Sequence, residues 1–149
     1  MSTNSNIGIL NKDGSVEMVY CHWEGCVENN GVILHRSFND EKAVRKLLSL
    51  GGLRSLRNRL SPDQGEIHNV EDGNDGDICV FYSRDLGVHS EEEIAKSLKF
   101  DNWQLASNYF EEYTYLYDTS LKEWLVIGDG LLLESLSRAI IIANKEKTA

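Results

Sequence analysis

Two stretches of alternating side chains, each broken by a short turn signal, constrain this chain more than anything else in it. In "NIGILNKDGSVEMVYCHW", Ile7 and Ile9 alternate with small residues. After Asp13–Gly14, Val16, Met18 and Tyr20 alternate with Glu17, Val19 and Cys21. Two such runs around Asp-Gly predict a β-hairpin. The second stretch is "EEYTYLYDTSLKEWLVIG". There Tyr113, Tyr115 and Tyr117 share one face, Thr114 and Leu116 share the other, and Trp124 and Val126 answer from the returning strand.

Between and after these hairpins the pattern turns helical in places. "EGCVENNG" closes the first hairpin, with Gly25 and Gly31 free to take positive φ. A helix follows Phe38, capped by Asn39 or Asp40, with Val44, Leu47 and Leu48 on its inner face and Gly51–Gly52 as its stop. "LRSLRNRLS" repeats that spacing through Leu53, Leu56 and Leu60 and predicts a second helix ended by Pro62. Residues 61–77 are polar, acidic and glycine-rich, which predicts a mobile loop. "ICVFYSRDLG" predicts a strand presenting Arg84 and Asp85 at its end, and "SEEEIAKSL" a short helix with a capping box from Ser90 to Glu93. "DNWQLASNYF" predicts another short helix. "DGLLLESLSRAIIIANKEK" predicts a closing one with Leu132, Leu136, Ile140 and Ala143 on its apolar face. Without regular βαβ alternation, this order gives one α+β domain over residues 1–149, a mostly antiparallel sheet with helices packed on one side.

Charge divides the chain unevenly. Its net charge is −9, yet residues 36–59 carry seven basic groups against Asp40 and Glu41, a local +5 that leaves −14 elsewhere. Residues 61–93 hold ten acids against Arg84. Such a balance argues against nonspecific binding to nucleic acid and points to a basic partner. The basic segment reads either as a solvated helix face or as an anion site. No run of about 18 apolar residues suggests a membrane span, and the first residues lack a basic, apolar leader, so a cytoplasmic setting is expected. The three cysteines, Cys21, Cys26 and Cys79, then read as reduced thiols.

The chemically dense stretch "VYCHWEGC" invites a metal or nucleophile reading. Cys21, His22, Cys26 and His35 match no ligand spacing, and adjacent strand residues point to opposite faces, so no metal and no cofactor is expected. A Cys21 nucleophile would need His35, His68 or His89 brought from elsewhere. The glycine-rich "EDGNDGD" does not fit a calcium-loop frame. Arg84–Asp85 reads as a structural ion pair or as a guanidinium offered to an anion. With His22, Trp23, Glu24 and Tyr115 it would form a polar-aromatic binding patch.

The segments "DGSVEMVYCHWEG", "AVRKLLSLGGLRSL", "YSRDLG" and "FEEYTYLYDTSLKEWLV" resemble a widespread family of small bacteriophage and prophage proteins with a YCHW(D/E)G hairpin, a Y-x-R-D-x-G segment and an EEYxYL segment. Relatives tend to carry Tyr-Pro where this chain has Cys26. The resemblance implies a viral accessory protein and brings no catalytic residue with it.

The leading expectation is a non-enzymatic inhibitor of a host antiviral defence, of the anti-CRISPR or another anti-defence kind, in the bacterial cytoplasm. It would bind a basic, nucleic-acid-handling host effector through an acidic surface: Glu71, Asp72, Asp75, Asp77, Glu91, Glu92 and Glu93, with Glu111 and Glu112 adding charge. A sponge for a nucleotide signal, read by Arg84 and the aromatics, is the second reading. A small hydrolase using His22, Glu24 or Asp85 is the third. A homo-oligomer stays open.

Overall fold

In a computed structural model of the chain, residues 3–70, 76–128 and 131–148 are described. The first hairpin forms as its alternation predicts. Strand β1 (Ser5–Leu10) runs antiparallel to β2 (Val16–Cys21), with Ile7 opposite Val19. Gly14 takes the left-handed conformation at φ +91, and the Asp13 carboxylate accepts from the Ser15 amide at 2.9 Å. The second hairpin joins β6 (Tyr113–Asp118) to β7 (Glu123–Gly128), placing Tyr117 opposite Trp124 and Tyr115 opposite Val126. Strand β6 then lies parallel to β1, with Ile7 beside Tyr115. The two hairpins therefore build the sheet's centre.

Shorter strands extend it. On one side β3 (Leu53–Ser55) joins β2 in parallel at Cys21, and β4 (Val80–Phe81) pairs antiparallel with β3. On the other side β8 (Leu131–Ser135) pairs antiparallel with β7. The strand order is β4-β3-β2-β1-β6-β7-β8. Strand β5 (Leu98–Phe100) pairs antiparallel with the beginning of β2, on the same edge that β3 occupies at its end. The fold is thus α+β, and its sheet is mixed with antiparallel pairings in the majority, the class the element order implies.

Alternation assigns the two faces. One carries Ile7, Ile9, Val19, Cys21, Tyr115, Tyr117, Trp124 and Val126, all buried. A π-helical turn (Val27–Gly31), α1 (Val32–Ser37), α2 (Glu41–Ser49) and α5 (Leu136–Thr148) cover it through residues such as Leu34, Leu47 and Leu136. Helix α2 starts where Asp40 accepts from the Ala43 amide at 2.8 Å, and stops at Gly51, whose φ is +84. The opposite face, with Val16, Met18 and Leu116, receives the short helix α4 (Trp103–Ser107) through Ala106 and Trp103. One helix therefore sits across the sheet from the main helical layer.

Several local expectations give way to tertiary pairing. Residues 53–55 are a strand rather than a helix, because the Leu53 and Arg54 carbonyls accept from the His22 and Trp23 amides at 3.0 Å each. Residues 90–97 make a tight turn rather than a helix: the Ala95 and Lys96 amides both return to the Glu92 carbonyl. Residues 131–135, including Leu132, pair with β7, so the closing helix begins only at Leu136. Arg84 and Asp85 lie in a one-turn helix, α3 (Tyr82–Leu86), that starts right after β4. Gly31 is helical, and the left-handed position after the first hairpin belongs to Glu24 at φ +57. Gly25 is required for a different reason: a Cβ there would lie 2.7 Å from the Thr3 carbonyl oxygen.

Candidate partner-binding site

The opening motif resolves into two faces. Cys21 is buried on the helix-covered side, where Asn30 Nδ2 donates to its sulfur at 3.5 Å and to the Trp23 carbonyl at 3.1 Å. Burial pushes its thiol from an ordinary 9.0 up to about 12, so it stays protonated. His22 turns to the other face, its Nδ1 2.7 Å from the Tyr20 hydroxyl. Cys26 is half-buried beside Asn29. Among the described residues no group of three His, Cys, Asp or Glu side chains is placed to hold a metal ion.

The expected patch of His22, Trp23, Glu24, Arg84, Asp85 and Tyr115 comes together only in part. Tyr115 does not belong to it: the ring is fully buried in the core, and its hydroxyl donates to the Gly25 carbonyl at 2.6 Å. Burial raises that phenol far above its ordinary value. Trp23 packs under the Arg54 guanidinium, 4.8 Å from its ring centroid, and Arg54 also donates to the Val70 carbonyl. Glu24 pairs with Arg57 at 2.7 Å. Every guanidinium nitrogen of Arg84 has an internal acceptor: Asp85, Ser61 Oγ at 2.9 Å, or the Cys79 carbonyl at 3.2 Å. Asp85 also accepts from the Phe81 amide at 2.8 Å and faces His68 Nδ1 at 3.6 Å. Segment 68–70 thus touches Asp85 at one end and Arg54 at the other. These residues fasten the 61–70 loop to the sheet edge.

The arginines of the basic segment are likewise engaged internally, whereas Lys42 and Lys46 are exposed. Arg36 donates to Asn58, Arg45 bridges Glu41 and Asn11, and Arg59 clamps Glu66 at 2.8 Å and Asp63 at 3.4 Å. That clamp lowers the exposed Glu66 carboxyl to about 2, chiefly through the Arg59 hydrogen bond. Of the expected acidic surface, Glu71, Asp72 and Asp75 lie outside the described residues. Asp77 accepts from the Asn58 side chain at 3.1 Å and so helps close the loop. Glu91, Glu92 and Glu93 are exposed on the 89–96 turn.

A cleft of about 310 Å³ opens beside that turn, on the sheet face opposite the main helical layer. Asn6 and Tyr20, which stand opposite each other across β1 and β2, form its base. Glu93, Ile94 and Leu98 form one wall, and Tyr109 with Glu111 forms the other. Each wall is anchored by a specific contact. Asn6 Oδ1 accepts from the Glu111 amide at 2.6 Å and from Thr114 Oγ1 at 3.1 Å. The opposite wall docks on the glycine pair after α2: the Gly52 amide donates to the Ala95 carbonyl at 3.0 Å, and a Cβ on Gly52 would lie 1.7 Å from the Ile94 oxygen. Ile94 and Tyr109 remain well exposed, at 39% and 48%. Burial, followed by the Tyr82 and Glu111 side chains, pushes the Tyr20 phenol up to about 12.

Of these lining residues the sequence reading singles out Glu93 and, as a source of charge, Glu111. The alternation that sends Ile7 and Cys21 inward already sends Asn6 and Tyr20 to the other face. Nothing local in the sequence shows that the 93–98 and 109–111 segments meet above them.

No helix among the described residues is long and apolar enough to cross a membrane. Compared with models of protein families, with curated proteins and with solved structures, the chain matches none.

Proposed function

We propose that the chain is a non-enzymatic binding protein that grips a basic protein partner, and that this partner is a nucleic-acid-handling effector of a bacterial antiviral defence which the chain inhibits. The observation that carries the reading is the cleft. It combines exposed apolar and aromatic surface with two carboxylates, Glu93 and Glu111, and Glu91 and Glu92 lie next along the same turn. Apolar and aromatic anchors supply affinity in such sites, while rim charge sets partner choice and encounter rate. The likeness of "YCHWEG", "YSRDLG" and "EEYTYL" to phage proteins supports the viral setting and the bacterial cytoplasm as the place of action.

Two observations weigh against the other readings. The nucleotide reading depends on Arg84, each of whose guanidinium nitrogens already donates to an internal acceptor. The hydrolase reading depends on His22, Glu24 and Asp85, which are engaged by Tyr20, Arg57 and Arg84 respectively. The test is affinity capture from a bacterial lysate at low and high salt. A basic protein retained at low salt and released at high salt is expected, whereas hydrolysis of a nucleotide or ester that His22→Ala removes would overturn the reading.

A further inference from the structure

Resting on the partner-binding reading above, we infer that the cleft over Asn6 and Tyr20 is a receptor for one arginine side chain of the partner. Its volume, about 310 Å³, is at the lower limit of small-molecule pockets and suits a single long side chain better than a nucleotide. Its lining is selective by charge. Glu93 and Glu111 stand on opposite walls, and among the described residues neither carboxylate has a cationic partner. Elsewhere on the chain Glu24, Glu41, Asp63, Glu66 and Asp85 each pair with an arginine, whereas Glu91 and Glu92, next to Glu93, also have no cationic partner among the described residues. No lysine or arginine lines the cleft.

The remaining lining favours a guanidinium over an ammonium. Tyr20 and Tyr109 present ring surface, and a guanidinium stacks on aromatic faces while its fork donates to carboxylates on either side. Leu98 and Ile94 give apolar cover for the methylene stem. Hydrogen bonds hold both carboxylate-bearing walls before any partner arrives: the Gly52 amide to the Ala95 carbonyl on one, the Glu111 amide to the Asn6 side-chain oxygen on the other. A preformed site loses less ordering entropy on binding.

The experiment titrates the full chain, followed by two-dimensional NMR, with N-acetyl-arginine amide, N-acetyl-lysine amide and the neutral isostere N-acetyl-citrulline amide. Saturable shifts are expected at the Asn6 side-chain amide and the Tyr20 and Tyr109 rings with the arginine compound. Lysine should bind more weakly, and citrulline at least about fivefold more weakly. E93Q and E111Q should each weaken arginine binding by roughly twofold to fivefold. Because both replacements keep shape and lie at the surface, an unchanged amide spectrum elsewhere confirms the fold of each variant. Equal binding of citrulline or lysine, an E93Q/E111Q double variant that binds arginine normally, or no shifts at the cleft would each overturn the inference. Its failure is separable from that of the function: salt-sensitive capture of a basic protein with no arginine response leaves the partner reading standing, and an arginine response with no such capture removes the partner reading instead.

Discussion

Single residues carry much of what makes the first hairpin's exit rigid, and they do so by hydrogen bonding into the core. Tyr115 is the clearest case. Its hydroxyl is the buried partner of the Gly25 carbonyl, so Tyr115→Phe leaves that oxygen unsatisfied at nearly constant volume. A loss of about 1–3 kcal/mol in urea-denaturation stability is expected; an unchanged midpoint would mean that water replaces the contact. The cysteines make a second prediction. A thiol reagent should modify Cys26 in the native protein and reach Cys21 and Cys79 only after unfolding. The Cys21 thiol also couples stability to alkaline pH. The folded state keeps a proton up to about pH 12 that the unfolded chain gives up near 9.0. Its contribution is therefore complete below the unfolded value and is lost as pH rises through the folded one. Melting temperature should fall across that window, and Cys21→Ala should flatten part of the decline.

Among the elements, the second glycine after α2 does something that its role as a helix stop does not convey. Gly51 ends the helix at positive φ, but Gly52 is where the 93–95 wall of the cleft sits, close enough that any Cβ collides with the Ile94 carbonyl. Gly52→Ala should cost about 2 kcal/mol of stability, and at temperatures where the variant is folded it should also lose partner binding. Retained binding at full affinity would detach the wall from the glycine pair. This coupling explains which elements were legible. The two hairpins and α2 follow from alternation, turn residues and a cap, all local signals, and the structure has them where the sequence predicts. Segments 53–60, 90–98 and 131–135 have helical spacing or a capping box, yet each is decided by a partner outside the segment: β2 for Leu53, the Gly52 amide for Ala95, β7 for Leu131. Periodicity within a segment is a weak guide where its pairing partner lies outside it.

For the molecule as a whole, charge is arranged rather than merely abundant. The arginines of residues 36–59 are engaged by the chain's own acids and carbonyls, which neutralises part of the 61–77 loop, while Lys42 and Lys46 of that segment stay exposed. Glu91–Glu93 and Glu111 belong to the acids with no cationic partner among the described residues, and they lie around exposed apolar side chains. The sequence shows the acidic excess, and its expected acidic surface includes one of the two cleft acids, Glu93. It misplaces the aromatic part of the site, because Tyr115 alternates inward while Tyr20 and Tyr109, separated by almost ninety residues, share the outer face. The same layout makes the central claim testable by one comparison. Capture from a bacterial lysate would be run at about 50 mM and about 500 mM salt with the wild-type chain, with E93K/E111K, and with E28K/E123K, which reverses two exposed charges away from the cleft. A basic protein is expected that the wild type and E28K/E123K retain at low salt and release at high salt, and that E93K/E111K fails to retain. The same protein retained by E93K/E111K, or retention indifferent to salt, would contradict it.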